Sequence, residues 1–331
     1  MFTWKQRPTV TIYKCSNNNC SHRRQKLKTL NDDELKIRPQ RYSQFKVNYQ
    51  YRDYHFELAD LQVAKPDQPT VSLNRIHNDI NIVGLILTLH ISYAITARKT
   101  AHMLKNIWQI PVSYQTVLNY ANACAHYCHK FNQDNKGGID DISAGDETYV
   151  KVKGVWYYAW FFICTVSKKI SAYHFSDTRG AQAAISTMLE ALRTSKTDQN
   201  MTLVTDANPS YMAGVHFINR YNKKLKVTLK KVTGLQNLDN ESEEYRKYKQ
   251  IVERLNRTYK YHIQAQDGFS NISGAVAKLV LFVTHYNFLR PHTALRNKTP
   301  IELSELAGLS TIQSKWCKIL SLACPTTAVA A

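Results

Sequence analysis

The sequence predicts an α/β protein: a mixed sheet with flanking helices, preceded by a helical region and a basic N-terminal segment. Three observations carry that expectation. From residue 142 onward, short runs rich in β-branched and aromatic residues alternate with stretches of helical period. Residues 76–130 show apolar side chains at helical spacing only. The first 50 residues are polar and hold eleven Lys and Arg against three acids.

Taken in order, residues 1–75 form the basic segment, Asn- and Tyr-rich and without a clear period. Within it, Cys15, Cys20 and His22 have the look of one half of a zinc site. Structural zinc takes four ligands, usually from two such pairs, and a second pair is not evident. A degenerate zinc-binding region and free thiols on a basic arm are both open readings. Seven cysteines at scattered spacings do not suggest a disulfide framework.

Residues 76–130 predict three helices. Ile80–Ile91 is an apolar helix, Ala97–Ile107 a second, and Ser113 caps a third that begins at Tyr114. Two helices joined by a tight turn after a supporting helix fit a helix-turn-helix, with an ordinary helical hairpin as the alternative. In the first case Val117, Leu118, Ala121 and Cys124 face inward. Ser113, Tyr114, Gln115 and Asn119 then face outward, toward base edges. Residues 131–141 are turn-rich and mark a domain boundary.

The sheet is expected over 142–305. A first strand covers 146–152, a second 155–166 entered through a turn at Gly154, and a third 169–175. The run Val155–Val166 is apolar but too short to span a bilayer, so it reads as a buried strand. A helix near 180–194 follows, then a strand at 202–205. Asn208 and Pro209 supply a cap and a first-turn proline for a helix at 209–221. Lys226–Val232 is β-like, 233–242 a polar loop, and helices follow near 243–262 and 270–289. Strand-strand-strand-helix-strand-helix-strand-helix is the order of a ribonuclease-H-like domain. Residues 306–331 are a C-terminal tail.

Three acids stand out on this frame. Asp146 opens the first strand, and a strand positions a ligand better than the loop that carries Asp140 and Asp141. Glu147 competes with it. Asp206 ends the fourth strand just before a capped helix, where open α/β sheets place ligands. Glu253 lies on the helix whose buried side is expected at Tyr248, Ile251, Val252, Leu255 and Tyr259. Lys249, Glu253, Asn256, Arg257 and Lys260 share another face. A surface row of i,i+4 ion pairs explains that stripe equally well. Two strand acids and one helix acid can converge on hard cations through oxygen ligands. Paired divalent ions can drive in-line phosphoryl transfer.

The balance of charge suits a polyanionic partner: 44 basic residues against 25 acidic give +19. No secretory leader or membrane span is expected, and the cysteine usage fits a reducing cytoplasm.

Four segments in this order resemble the DDE transposases of prokaryotic insertion sequences, with their retroviral-integrase-like core. They are Gly145-Asp-Glu-Thr-Tyr-Val-Lys-Val-Lys-Gly-Val-Trp, Thr205-Asp-Ala-Asn-Pro-Ser-Tyr, Val252-Glu-Arg-Leu-Asn-Arg-Thr and His285-Tyr-Asn-Phe-Leu-Arg-Pro-His. The resemblance covers about residues 75–305. It implies that Asp146, Asp206 and Glu253 are the catalytic triad and bind Mg²⁺ or Mn²⁺, with Zn²⁺ a further candidate at the N-terminus. It implies cleavage at insertion-sequence ends followed by strand transfer into target DNA. The implied partners are double-stranded DNA and further copies of the chain, in a nucleoid-associated cytoplasmic setting without membrane. Lys249, Arg254, Arg257 and Lys260 are the candidate contacts to DNA phosphates. The alternatives are a transposase-derived DNA-binding protein that has lost cleavage, and a ribonuclease-H-like nuclease without strand transfer.

Overall fold

A computed structural model describes residues 1–30, 47–196, 199–222, 225–233, 240–265 and 268–324. The chain divides into two units, residues 1–60 and 61–331.

The first unit holds a three-stranded antiparallel sheet of β1 (Phe2–Arg7), β2 (Val10–Lys14) and β3 (Gln50–Tyr54) in that order, with α1 (Ser21–Lys28) between β2 and β3. A sheet here was not legible in the sequence, because its strands are short and mostly polar, with β1 exposed along its length.

The second unit begins with helices α2 (Ile80–Leu87), α3 (Ala97–Trp108) and α4 (Tyr114–Asp134). Ser113 caps α4 as expected, its hydroxyl accepting from the Thr116 amide. Val117, Ala121 and Cys124 are buried, whereas Ser113, Tyr114 and Gln115 are exposed and Asn119 is half-buried. The expected break at 131 does not occur there, since α4 runs on to Asp134. Phe131 is buried against Phe288. Asn132 donates to the Val280 carbonyl and to the Tyr173 hydroxyl. Tertiary contacts thus extend a helix that local composition would end.

The mixed sheet follows in the order β6-β5-β4-β7-β8. Its strands are β4 (Ile142–Val152), β5 (Val155–Cys164), β6 (Ile170–Ser176), β7 (Asn200–Thr205) and β8 (Lys226–Lys231). The first three form an antiparallel meander, and β7 and β8 run parallel to β4. Lys153 and Gly154 both take positive φ at the β4–β5 turn, the conformation that glycine-containing two-residue hairpins favour. Helices α5 (Ala181–Leu192) and α6 (Pro209–Tyr221) connect β6, β7 and β8, and α7 (Asn240–Gln264) and α8 (Ile272–Thr284) come after β8. The element types and their order match the expectation, with ends moved by a few residues.

Alternation along β5 separates two apolar layers. Trp160 and Phe162 meet Tyr211 of α6, while Phe161 meets Tyr259 of α7 and Phe282 of α8. The reading of β5 as buried throughout needs correction: residues 159–164 are buried, but Val155 and Trp156 at the hairpin are exposed. A further apolar segment, Ile272–Leu289, is long and apolar enough to cross a membrane by length and composition, and 83% of it is buried inside this unit. It is a core helix ending in a π-helical turn at His285–Leu289. Asn287 in that turn accepts from the Ile170 amide and donates to its carbonyl, so the fourth motif clamps β6. Helix α9 (Ile312–Ala323) packs on α2 and α4.

Candidate active site

Register brings the two strand acids together. Strands β4 and β7 pair in parallel with Ala144 opposite Val204. Asp146 and Asp206 each lie two residues beyond that pair, at the end where β7 stops. Gly145 precedes Asp146 because the Phe162 ring fills the space a side chain would need: an added Cβ would meet Phe162 Cε1 at 2.5 Å. Asp146 therefore sits on a strand pressed tightly to its neighbour, and its side chain points toward α7.

Asp146 is mostly buried and strongly engaged. Lys249 of α7 places its ammonium 2.9 Å from Asp146 Oδ1. The approach lies outside hydrogen-bond geometry, so the contact is chiefly one of charge. Asn256, two turns further along α7, donates to Asp146 Oδ2 at 2.9 Å. Burial pushes the Asp146 carboxyl above its ordinary range. Lys249 pulls it down, and the carboxylates of Glu147 and Asp206 push it up, so the net shift is upward.

Asp206 is held by its own turn. Its Oδ1 accepts from the Asn208 amide at 3.0 Å, and Arg179 reaches within 3.6 Å of its Oδ2. Asn208 also caps α6, accepting from the Ser210 amide. Its side-chain amide donates to Glu147.

Glu147 proves to be the organiser of this corner. It is buried, ion-paired to Arg179, and hydrogen-bonded by Asn208 and the Tyr211 hydroxyl. It points to the opposite sheet face from Asp146. The sequence signal was strand alternation, which separates the two acids, but it could not say that Glu147 would be fully partnered. Arg179 carried no sequence signal.

Glu253 lies on α7 between Lys249 and Asn256, in the same stripe, and its side chain is exposed. Val252, Leu255 and Tyr259 are buried as expected, and Tyr248 and Ile251 half-buried. Lys249, read as a phosphate contact, is only 7% exposed, with its charge spent on Asp146. Arg254, Arg257 and Lys260 are exposed.

The strand acids suit a divalent ion in donor type, since carboxylate and amide oxygens are the ligands hard cations take. Asp146 already attracts one cation, Lys249, and the buried Asn256 Oδ1 has no hydrogen-bond partner. Among the described residues no group of three or more His, Cys, Asp or Glu is arranged to hold a metal. That applies to Asp146, Asp206 and Glu253 and equally to Cys15, Cys20 and His22. In the first unit, Cys20 stands at the start of α1, where the Arg23 amide draws its thiol below the ordinary value. His22 packs edge-on to Tyr49.

Comparisons with known proteins give one family match and several distant structural likenesses. Residues 243–300, which include most of α7 and the fourth motif, match the family described as "Integrase core domain". No curated protein matches the chain. Among solved structures, the magnesium-bound integrase catalytic core of HTLV-2 is 18% identical, covering 49% of this chain and 94% of that one, at a TM-score of 0.34. The catalytic core of BIV integrase is 19% identical over 48% and 90% respectively, at 0.33. The Mos1 strand transfer complex is 13% identical over 89% and 85%, at 0.27.

Proposed function

We propose that the chain is a DDE-type transposase of an insertion sequence, cutting DNA at the element's ends and joining them to target DNA. The observation that carries this reading is the register that sets Asp146, within β4, and Asp206, just past the end of its parallel neighbour β7, each two residues beyond the Ala144–Val204 pair, with most of α7 matching the integrase core. Asp146, Asp206 and Glu253 would hold Mg²⁺ or Mn²⁺, which supplies activation of the attacking oxygen and charge stabilisation of the leaving one. The rest of the work falls to the chain's own groups. Asn256 orients the Asp146 carboxylate through its amide. Asn208 and Arg179 fix Asp206. Arg254, Arg257 and Lys260 offer exposed cations to backbone phosphates, which position DNA without reading it. In this reading the hairpin of α3 and α4 is a helix-turn-helix, and Gln115 and Asn119 read base edges. Their side chains hydrogen-bond to each other at 2.9 Å, which presents one shaped polar surface. Two DNA ends require at least two copies of the chain.

One observation favours a second reading, a DNA-binding derivative that no longer cuts. The Lys249 ammonium, 2.9 Å from an Asp146 oxygen, already supplies the positive charge that a divalent ion would bring to that carboxylate. Incubation of the full chain with Mn²⁺ and a duplex carrying the element's terminal repeats separates the two. Nicked and joined products support the transposase. Binding without nicks supports the derivative, and nicks without joining support a nuclease.

A further inference from the structure

Along β4, beyond Asp146 and away from β7, runs an open groove of about 750 Å³. Its walls are Tyr149, Lys151 and Trp156 of the β4–β5 hairpin, Lys260 and Ile263 of α7, and Phe269. Phe269 closes the far end by pairing its backbone with Lys151 and Lys153. Three features set this groove apart from ordinary surface. Tyr149 and Trp156 are 46% and 56% exposed and stand side by side, which makes an aromatic surface open to solvent. The two rings brace each other edge to face, with centroids 6.0 Å apart, and Arg179 lies over the Tyr149 ring. The described charged residues of the lining are Lys151 and Lys260, both cationic.

We infer that this groove is a stacking site for an unpaired nucleotide of a DNA strand, with Trp156 and Tyr149 facing the base and Lys151 and Lys260 its phosphates. An apolar wall whose described charged residues are the cations Lys151 and Lys260 suits a ligand that is aromatic on one side and anionic on the other. Single-stranded nucleic acid has that chemistry, because every base has a π-face and every linkage a charge. A base inside a duplex is already stacked and cannot use the site. Tyr149 lies three residues beyond Asp146, about 10 Å along the strand, turned by alternation to the Glu147 face, where Arg179 hydrogen-bonds both Glu147 and the Tyr149 hydroxyl. The inference rests on the nucleic-acid reading above and adds to it a preference for frayed or single-stranded ends.

The test is fluorescence anisotropy of the full chain with a labelled single-stranded oligonucleotide and with a blunt duplex of equal length, for wild type, Trp156→Ala, Trp156→Phe and Tyr149→Leu. Trp156 and Tyr149 are at an exposed hairpin, and circular dichroism confirms folding. Trp156→Ala is expected to weaken single-strand binding about 5- to 150-fold, the range for losing one stacked base. Duplex affinity should change less than about twofold, and Trp156→Phe should retain most single-strand binding. The salt slope of Trp156→Ala should equal that of wild type, since stacking releases no counterion. Equal single-strand affinity in wild type and Trp156→Ala overturns the inference, as does an equal loss on both DNAs. A change in oligomeric state with unchanged DNA binding overturns it in favour of a second copy seated in the groove. If wild type binds neither DNA, the nucleic-acid reading itself fails.

Discussion

The Lys249–Asp146 pair invites a double-mutant cycle. Separated by 2.9 Å and largely buried, the two charges attract by about 6 kcal/mol in an effective dielectric of about 20. That attraction is offset by the cost of taking both groups from water, so the net value of the pair is small. Removing one member is different. Lys249→Met leaves the Asp146 carboxylate with only the Asn256 amide, and should destabilise by about 3–5 kcal/mol. Asp146→Asn strands the ammonium of a lysine with little solvent access and should cost a similar amount. The double variant leaves no charge behind and should lie within about 2 kcal/mol of wild type. The assay is urea unfolding followed by circular dichroism at neutral pH. The expected coupling is at least about 2 kcal/mol; single effects that add to within about 0.5 kcal/mol would show that the pair does not form in solution and refute the reasoning. A pH series adds a sign. The folded carboxyl of Asp146 titrates above its unfolded value, so it favours folding at low pH. That contribution fades as pH rises from the unfolded to the folded pKa. In Asp146→Asn this pH-dependent component should be absent.

Three further outcomes follow from the same geometry. Lys249→Met should raise the affinity for Mn²⁺, read by electron paramagnetic resonance without DNA, because the ammonium competes for an Asp146 oxygen; unchanged affinity would show that the ion binds elsewhere. Gln115→Ala should cost about 1–3 kcal/mol of discrimination between the element's end and random DNA, and an equal loss on both would remove α4 from sequence reading. Arg257→Ala and Lys260→Ala should each lower the slope of log affinity against log salt by about one unit with sequence preference intact. An unchanged slope in both would return that stripe to solvent.

Much of this architecture was written locally. The caps at Ser113 and Asn208-Pro209, the hairpin at Gly154 and the order of strands and helices depend on neighbours a few residues apart. Backbone sterics and hydrophobic period therefore reveal them in one dimension. Both acids were visible as strand-borne candidates, although Asp146, read as opening a strand at 146, stands within β4, which begins at Ile142. The sequence also showed that Lys249, Glu253 and Asn256 share a helical face. It could not show which part of that face is covered. Charged residues default to the surface, and only the packing of α7 on β4, joining residues about a hundred positions apart, buries Lys249 and Asn256 against Asp146 while leaving Glu253 outside. Glu147 differs from Asp146 by one position, but strand alternation turns it to the other face, where Arg179 from the β6–α5 loop and Asn208 and Tyr211 from the start of α6 converge. The extension of α4 to Asp134 is likewise tertiary, since Phe131 and Asn132 gain partners that lie far along the chain. Local chemistry determined where each acid could stand; long-range packing decided which charge each one meets, because burial and counter-charge are properties of surfaces brought together and not of the chain that supplies them.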